Sequence, residues 1–322
     1  MFYDLLHSPD AVVADVHETA RTLVERVGLP EPRPGWFQQS VCHGYEALFA
    51  RVHPSRQHAP SRIEAIAPGP QSSSPAGTDI PAYVREIAAL QGDRPLKTHA
   101  TVLTSSLFPE IVDELRRKAV RHRVDPPSRD LGHERLWVGF SPDGGPRYSP
   151  DDDAGIFFEV IPTQCLGLPE SAAGSVPADR PDVAPGQMIR VAARSYLVDR
   201  LDPVLATLEE RLCWPVARVD GASGERRAEM SVNFPASARF ELVEPGHDPD
   251  AAAHFGRWGP GTYATRITVR GLDAKADDLR ERGTPFRILP AQAARPETIR
   301  VALSAVPGFL FDFVDDDDEL TR

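Results

Sequence analysis

Apolar and polar residues follow a pattern along the chain that predicts short strands separated by amphipathic helices. Four segments share one order, which is an apolar residue, a carboxylate and then two apolar residues: 63–66, 158–161, 240–243 and 311–314. Successive side chains of a strand point to opposite faces, so the four carboxylates lie on the same face of their strands. The pattern therefore predicts four related strands.

A helix with a recognisable start or stop precedes each of these strands. Asp15 and Glu18 have the spacing of a capping box before 19–27, and Gly28 follows where a helix commonly ends. Further helices are predicted at 108–120, 203–212 and 274–282. Strand-like segments precede the four helices at 2–7, 96–104, 188–198 and 263–269. Two more strands fit between each helix and its terminal strand, so the predicted unit is β-α-β-β-β, repeated four times.

Two segments rich in Pro, Ser, Gly and Ala, 68–78 and 166–187, are interpreted as connectors because they have too few apolar side chains to bury a face. The predicted fold class is α+β, with four β-α-β-β-β modules paired into two pseudo-symmetric domains. The predicted boundaries are an N-terminal domain at 1–165 with modules at 1–67 and 95–165, a linker at 166–187, and a C-terminal domain at 188–322.

Composition limits the function classes. The 322 residues include 36 Lys and Arg against 47 Asp and Glu, and the net charge of −11 disfavours nucleic-acid binding. We find no secretory signal and no apolar stretch long enough to span a bilayer. The 3 cysteines are far apart, which favours neither disulfides nor a thiolate zinc site. We expect a cytoplasmic monomer or homodimer whose partner is a small molecule, not a nucleic acid or a membrane.

Two histidines lie at matching places of the predicted first strands in the N-terminal half. These are His7 and His99, and the carboxylates of the same two modules are Glu64 and Glu159. Imidazole and carboxylate together suit a borderline divalent ion such as Zn, Ni, Fe, Mn or Co. If the two modules pack about a pseudo-twofold axis, the four side chains converge. We therefore predict one divalent metal ion per chain in this half.

The C-terminal half carries only the carboxylates of this set. No histidine occurs at 191–194 or near Thr265, the corresponding places, although Glu241 and Asp312 are present. Carboxylates on such strands are usually solvated or paired with arginine. We expect that fate for Glu241 and Asp312, and we interpret this half as a degenerate copy without a metal.

His43 and Tyr45 lie on the predicted second strand of the first module, where alternation puts both on one face. They could contact the metal ligands or the substrate from that face. The alternative is that they are ordinary surface residues or hydrogen-bonded core residues.

The modules and the metal set together resemble the vicinal oxygen chelate superfamily, which includes glyoxalases, extradiol dioxygenases and bleomycin resistance proteins. The motifs that carry the resemblance are FEVIP at 158–162 and HATV at 99–102, at places where the family has metal ligands. In glyoxalase-like members the ligand order is His or Gln, Glu, His or Gln, Glu. His7, Glu64, His99 and Glu159 follow that order.

The resemblance implies three possible functions. The leading one is a glyoxalase-like lyase or isomerase, in which a small substrate chelates the metal and Glu159 or Glu64 moves a proton. The second is a non-haem Fe(II) dioxygenase of the extradiol type that uses His7, His99 and Glu159. The third is a non-catalytic protein that sequesters a drug or metabolite, as bleomycin resistance proteins do.

Overall fold

The computed structural model of the protein describes residues 1–33, 35–40, 45–68, 80–127, 131–141, 148–168, 182–222, 225–246, 248–291 and 296–317. Residues 69–78 of the predicted connector and 169–181 of the predicted linker lie outside these ranges. The domain boundaries at 165 and 188 therefore stay predictions.

The first half of the chain forms two adjoining sheets. Its strands are β1 (Leu5–Ser8), β2 (Asp10–Val12), β3 (Phe37–Ser40), β4 (Tyr45–Ala50), β5 (Ile63–Pro68), β6 (Thr101–Ser105), β7 (His122–Asp125), β8 (Arg135–Val138) and β9 (Phe158–Pro162). Its helices are α1 (Val16–Thr22), continued by a π-helical turn (Leu23–Val27), α2 (Ile80–Leu90) and α3 (Phe108–Arg117). The strand orders are β3-β4-β5-β2 and β1-β6-β9-β8-β7.

The second half forms one continuous sheet. Its strands are β10 (Met188–Leu197), β11 (Val216–Ala222), β12 (Glu225–Met230), β13 (Arg239–Glu244), β14 (Gly261–Val269), β15 (Phe286–Leu289), β16 (Thr298–Val301) and β17 (Phe311–Asp315). Its helices are α4 (Leu201–Leu212), α5 (Pro249–Trp258) and α6 (Leu272–Glu281). The strand order is β11-β12-β13-β10-β14-β17-β16-β15.

The two halves have the same topology. β1 and β2 are successive parts of one segment interrupted at Pro9, and β1 pairs with β6 while β2 pairs with β5. When they are taken as one strand, the first half has the strand order of the second. The order strand, helix and three strands recurs in four stretches of the described chain, with α2 and α5 between paired stretches. The predicted α+β fold class is confirmed.

The first two helix starts lie at or near the predicted places: α1 begins at Val16, three residues before the predicted 19, and α3 begins at Phe108 as predicted. The Asp15 side chain accepts hydrogen bonds from the backbone N–H groups of His17 and Glu18 at 2.8 and 2.9 Å, as the capping pattern predicts. The chain leaves this helical segment at Gly28, whose φ of 79° favours glycine.

In the second half, two predicted helix starts are each wrong by two residues. α4 begins at Leu201, whose backbone N–H donates to Glu244 at 2.8 Å. α6 begins at Leu272, whose N–H donates to Asp315 at 3.2 Å. Both carboxylates come from the ends of the terminal strands β13 and β17. These tertiary caps replace the local ones, so the chain nearby gives no sign of them.

The largest apolar core joins the two halves. The ring of Tyr3 lies 5.3 Å from that of Phe158 and 5.6 Å from that of Trp214, and its hydroxyl donates to Leu212 O at 2.5 Å. A smaller cluster includes Tyr45, Val102 and Trp137, which also line a cavity of the first half. Among the described residues, no helix is long and apolar enough to cross a bilayer.

Candidate metal centre

One cavity of about 370 Å³ in the first half is lined by all four predicted metal ligands, His7, Glu64, His99 and Glu159. They come from four separate segments, and their convergence follows from the sheet topology. Whether they bind a metal stays a prediction, but the structure brings them to one place.

Strand pairing sets the positions of the two carboxylates. Glu64 on β5 lies opposite Asp10 on β2, in a parallel pair. Glu159 on β9 lies opposite Val102 on β6, also in a parallel pair. His99 lies two residues before β6 rather than within the predicted strand. The two parallel pairs at the middle of the half therefore face each other across the cavity.

Asp10 holds the imidazole of His99. Its Oδ2 accepts hydrogen bonds from the backbone N–H and the Nδ1 of His99, each at 2.7 Å, and its Oδ1 accepts one from the Thr98 hydroxyl. A carboxylate at Nδ1 fixes the ring and leaves Nε2 facing the cavity. Burial lowers the pKa of His99, but Asp10, Glu64 and Glu159 outweigh burial and raise this pKa to about 9.

Glu64 and Glu159 both approach the Nε2 atom of His99. Its Nε2 is 3.8 Å from Glu64 Oε1 and 3.8 Å from Glu159 Oε2. The Ser8 hydroxyl donates to Glu64 Oε2 at 2.6 Å, which fixes the orientation of that carboxylate. Burial raises the pKa of Glu159 to about 7, even though His99 and Arg135 act in the opposite direction. Within the described chain, neither carboxylate has an arginine at ion-pair distance.

His7 is the least satisfied side chain of the set. It is 1% exposed, and neither ring nitrogen has a hydrogen-bond partner in the described part of the chain. Burial, reinforced by Arg62 and Arg51, lowers the pKa of His7 well below its ordinary value. The ring is therefore neutral near pH 7 and has a lone pair to offer.

The side chains are not arranged as a closed metal site. Within the ranges that the structure describes, no group of three or more His, Cys, Asp or Glu side chains has the geometry to hold a metal ion. Two ligand atoms on one ion with bonds of ~2.1 Å are ~3–4 Å apart, so the two distances of 3.8 Å at His99 are compatible with a shared ion. Binding would require small side-chain movements that bring the set closer together.

The structure describes one of the two residues, Tyr45 and His43, that were predicted to contact the ligands or the substrate. Tyr45 lines the cavity, as the alternation along β4 predicts. His43 lies outside the described residues, so its role stays a prediction.

Sequence reasoning missed three residues at this site. Asp10 lies beyond the end of the predicted first strand. The strand is interrupted at Pro9, and this interruption brings Asp10 to His99 but does not appear in the hydrophobic periodicity of the sequence. Arg62 and Arg135 also line the cavity. Arg62 precedes Glu64 by two residues, so strand alternation places it on the same face and could have identified it.

The equivalent places in the second half carry a different set. Strand pairing matches His7 with Ala192 and His99 with Tyr263, two residues before the predicted Thr265. Glu241 pairs with Arg266 and Arg227, at 2.8 and 2.7 Å, and Asp312 pairs with Arg300 at 2.7 Å. Of the two expected surroundings, solvent or arginine, the structure therefore has arginine for both carboxylates.

Comparisons with known proteins bear on the fold. No protein-family model matches the chain, and no curated protein matches its sequence. A triple mutant of 4-hydroxymandelate synthase from Streptomyces coelicolor is similar over 97% of this chain and 92% of its own, with a TM-score of 0.52 and 13% identity. At that identity the likeness shows the fold alone. It supports the predicted fold, and the resemblance to the vicinal oxygen chelate superfamily stays a likeness of fold.

Two shorter structures match part of the chain. Methylmalonyl-CoA epimerase from Streptomyces coelicolor is 16% identical and covers 40% of this chain and 98% of its own, with a TM-score of 0.35. A hypothetical protein from Bacillus halodurans is 17% identical and covers 39% and 93%, with the same TM-score of 0.35. Scores this low carry no argument about site or activity.

Proposed function

We propose that the protein is a metal-dependent enzyme of the vicinal oxygen chelate type that catalyses proton transfer on a small chelating substrate. The proposed metal ligands are His7, Glu64, His99 and Glu159. The observation that carries the proposal is that two imidazoles and two carboxylates line one buried cavity, with no arginine pairing either carboxylate among the described residues. This donor set suits Zn, Ni, Fe, Mn or Co.

The unsatisfied polar atoms of the cavity support a cation-binding site. A buried imidazole with two unpaired nitrogens is costly, and so are two buried carboxylates that no arginine of the described chain contacts at ion-pair distance. A divalent ion would give His7 a partner and neutralise Glu64 and Glu159. Asp10 already holds His99 in the orientation that carboxylates give to metal-binding histidines.

The residues of the cavity then fit the chemistry of an isomerase or lyase. A bound divalent ion would supply positive charge to stabilise the negative charge that develops on chelated substrate oxygens. Glu64 and Glu159 both lie 3.8 Å from His99 Nε2, so a substrate bound beside this nitrogen has two carboxylates within reach. One of the two accepts a proton from the carbon next to the substrate carbonyl and returns it. Ser8 holds Glu64 in a fixed orientation for this step or for ligation.

The hydrogen bond from Ser8 to Glu64 favours a second candidate function. Because Ser8 already occupies Glu64 Oε2, Glu64 can lie outside the ligand set. His7, His99 and Glu159 would then form the two-histidine, one-carboxylate set of non-haem Fe(II) dioxygenases. A third outcome is a non-catalytic protein that sequesters an aromatic ligand in the cavity.

One experiment separates these functions. The metal-free protein is loaded in parallel with Zn, Ni, Co or Fe(II) and incubated with 2-oxoaldehyde thiohemiacetals and catechols in deuterated buffer. We expect turnover with the non-redox ions and solvent deuterium at the carbon next to the carbonyl. His99→Ala should abolish this exchange, while His17→Ala, a histidine exposed on α1, should retain it.

Other results would replace the proposal. Oxygen consumption with the Fe(II) form alone would support the dioxygenase. Tight binding of an aromatic ligand without turnover for any metal would support sequestration.

A further inference from the structure

Four arginines line the cavity that holds the predicted metal ligands, and the proposed proton transfer uses none of them. They are Arg51, Arg56, Arg62 and Arg135. Against their four positive charges the cavity presents two carboxylates, Glu64 and Glu159, and a divalent ion would add two more positive charges. Such a cavity attracts negative charge.

Arg135 is buried without a full set of partners. The residue is 4% exposed, and its Nε and Nη1 have no hydrogen-bond partner in the described part of the chain. Its Nη2 is 3.8 Å from Asp125 Oδ2. Asp125 is already engaged, since it contacts Arg123 Nε at 2.6 Å and accepts a hydrogen bond from Trp137 Nε1 at 3.1 Å. The Arg135 guanidinium therefore has donors left over, which is costly for a buried cation.

Arg62 offers a second guanidinium held in a fixed plane. It lies over the ring of Phe49, with 3.6 Å between the guanidinium carbon and the ring centroid, and its Nε has no partner within the described residues. The Arg62 guanidinium therefore also has a buried donor left over for an anion.

Strand directions put Arg62 and Arg135 at the same end of the ligand set. Arg62 lies immediately before β5 and two residues before Glu64, and Arg135 precedes Trp137, the partner of Glu159, by two residues on β8. β5 and β9 run in opposite directions and β8 is antiparallel to β9, so both arginines are displaced the same way, by ~7 Å along their strands. They flank one end of the cleft from two sides.

We infer that Arg62 and Arg135 form an oxyanion pocket for the carboxylate, phosphate or phosphonate group of a small acid. The other oxygens of this acid would bind the metal ion held by the proposed ligands. A planar guanidinium matches such groups with paired hydrogen bonds. Tyr45, Phe49 and Trp137 line the same cavity and fit an aromatic or alkyl body between the two ends. The inference names the substrate class of the proposed enzyme and so rests on the proposed function.

The test uses the metal-free full-length protein, so that oxyanion binding is measured apart from metal binding. Inorganic phosphate and benzoate are titrated separately by calorimetry. We expect saturable binding of at least one, and a weakening of ~10–100-fold in each of Arg62→Met and Arg135→Met, the loss expected for charge-assisted hydrogen bonds. Arg116→Met removes the same charge from an exposed pair with Asp113 on α3 and should bind as the wild type does. Tighter binding of benzoate identifies a carboxylate pocket, and tighter binding of phosphate identifies a phosphate or phosphonate pocket.

Two further measurements keep the test decisive. Arg135→Lys keeps the charge but loses the planar fork, so it should weaken binding even if Arg135→Met fails to fold. Metal content after reconstitution should be the same in Arg62→Met as in wild type, which separates a failed anion pocket from a failed metal site. The inference is overturned if wild type binds neither anion, or if the arginine variants bind them as tightly as Arg116→Met does.

Discussion

Glu64 in the first half and Glu241 in the second lie at equivalent places of their sheets, opposite Asp10 and Ser195 on a parallel neighbour. Their surroundings are opposite in character. Glu241 is neutralised inside the protein, because Arg266 contacts both of its oxygens at 2.8 and 3.2 Å and Arg227 contacts one at 2.7 Å. Glu64 accepts from the Ser8 hydroxyl and faces His99.

The second carboxylate of each half repeats this contrast. Asp312 accepts two hydrogen bonds of 2.7 Å from Arg300, whereas Glu159, its equivalent, faces His99 at 3.8 Å. Strand pairing puts Arg300 at the place of Trp137. The place directly opposite Glu159 thus carries an indole where the second half has a guanidinium, and Arg135 lies two residues away on the same strand.

The difference shows how the same fold can either retain a cation-binding site or fill it with arginine side chains. Arg266 and Arg227 occupy the places of Val102 and Ala47, so the second half fills with arginine the space that small or apolar side chains leave in the first. Buried carboxylates require a counter-charge in either half. The second half carries its own, and the first leaves room for a cation from solution.

The largest effect is expected when an arginine of the second half is introduced at the equivalent place in the first half. Val102→Arg puts a guanidinium opposite Glu159, as Arg266 is opposite Asp312, and should abolish metal binding because the carboxylates gain an internal partner. Val102→Met, of similar length without the charge, should keep the metal. Elemental analysis after reconstitution checks both variants, and retention of the metal by Val102→Arg would contradict the comparison.

The reverse change tests the second half. Arg266→Met leaves Glu241 buried with only part of its counter-charge and should lower the free energy of unfolding by about 3–5 kcal/mol. Arg116→Met removes an exposed pair and should cost about 0–1 kcal/mol. Urea denaturation measures both losses. Equal losses in the two variants would show that Glu241 does not depend on Arg266.

Lowering the pH should reduce the stabilisation that the ionised Glu241 side chain gives to the fold. Burial raises the pKa of Glu241, but Arg266 and Arg227 outweigh burial and hold it at about 2, below its ordinary 4.5. A depressed folded-state pKa stabilises the fold above pH ~4.5, and this stabilisation is lost as the pH falls towards ~2. The loss should be about 3 kcal/mol. We therefore expect the stability gap between wild type and Glu241→Gln to shrink between pH 5 and pH 2.5. A gap independent of pH would argue against the ion pairs.

The smallest expected effect concerns the support of His99. Asp10→Asn should weaken metal affinity by ~10–100-fold, because it removes the charged partner that orients the imidazole. Ser195→Ala alters the equivalent place of the second half and should leave affinity unchanged. Competition with a chelator measures both values. Unchanged affinity in Asp10→Asn would mean that His99 needs no such support or is not a ligand.

Much of the architecture was predictable because it depends on local pattern. The alternation in the four carboxylate strands and the cap at Asp15 are short-range signals, and the structure has them. The starts of α4 and α6 were not predictable, since their caps come from Glu244 and Asp315 in distant strands. α5 carries a local signal that was overlooked, in which Asp248 caps the helix and Pro249 follows in its first turn.

The candidate site likewise has residues that local sequence patterns identify and residues that depend on long-range contacts. Periodicity and repeat register were enough to select His7, Glu64, His99 and Glu159, because each occupies a repeated place in its module. Asp10 was missed because its contact with His99 joins residues 89 apart in sequence and depends on the break at Pro9. The arginine pocket depends on strand directions across the sheet, which no local pattern contains.

The most direct test of the account is the metal content of the protein and its location in the chain. Protein purified without chelator and supplemented with Zn, Ni, Co, Mn or Fe should hold about one equivalent of a divalent ion. His7→Ala and His99→Ala should lose it, whereas Tyr263→Phe, at the place of His99 in the second half, should keep it. Less than about a tenth of an equivalent in the wild type, or a metal that survives both histidine variants, would contradict the proposed site.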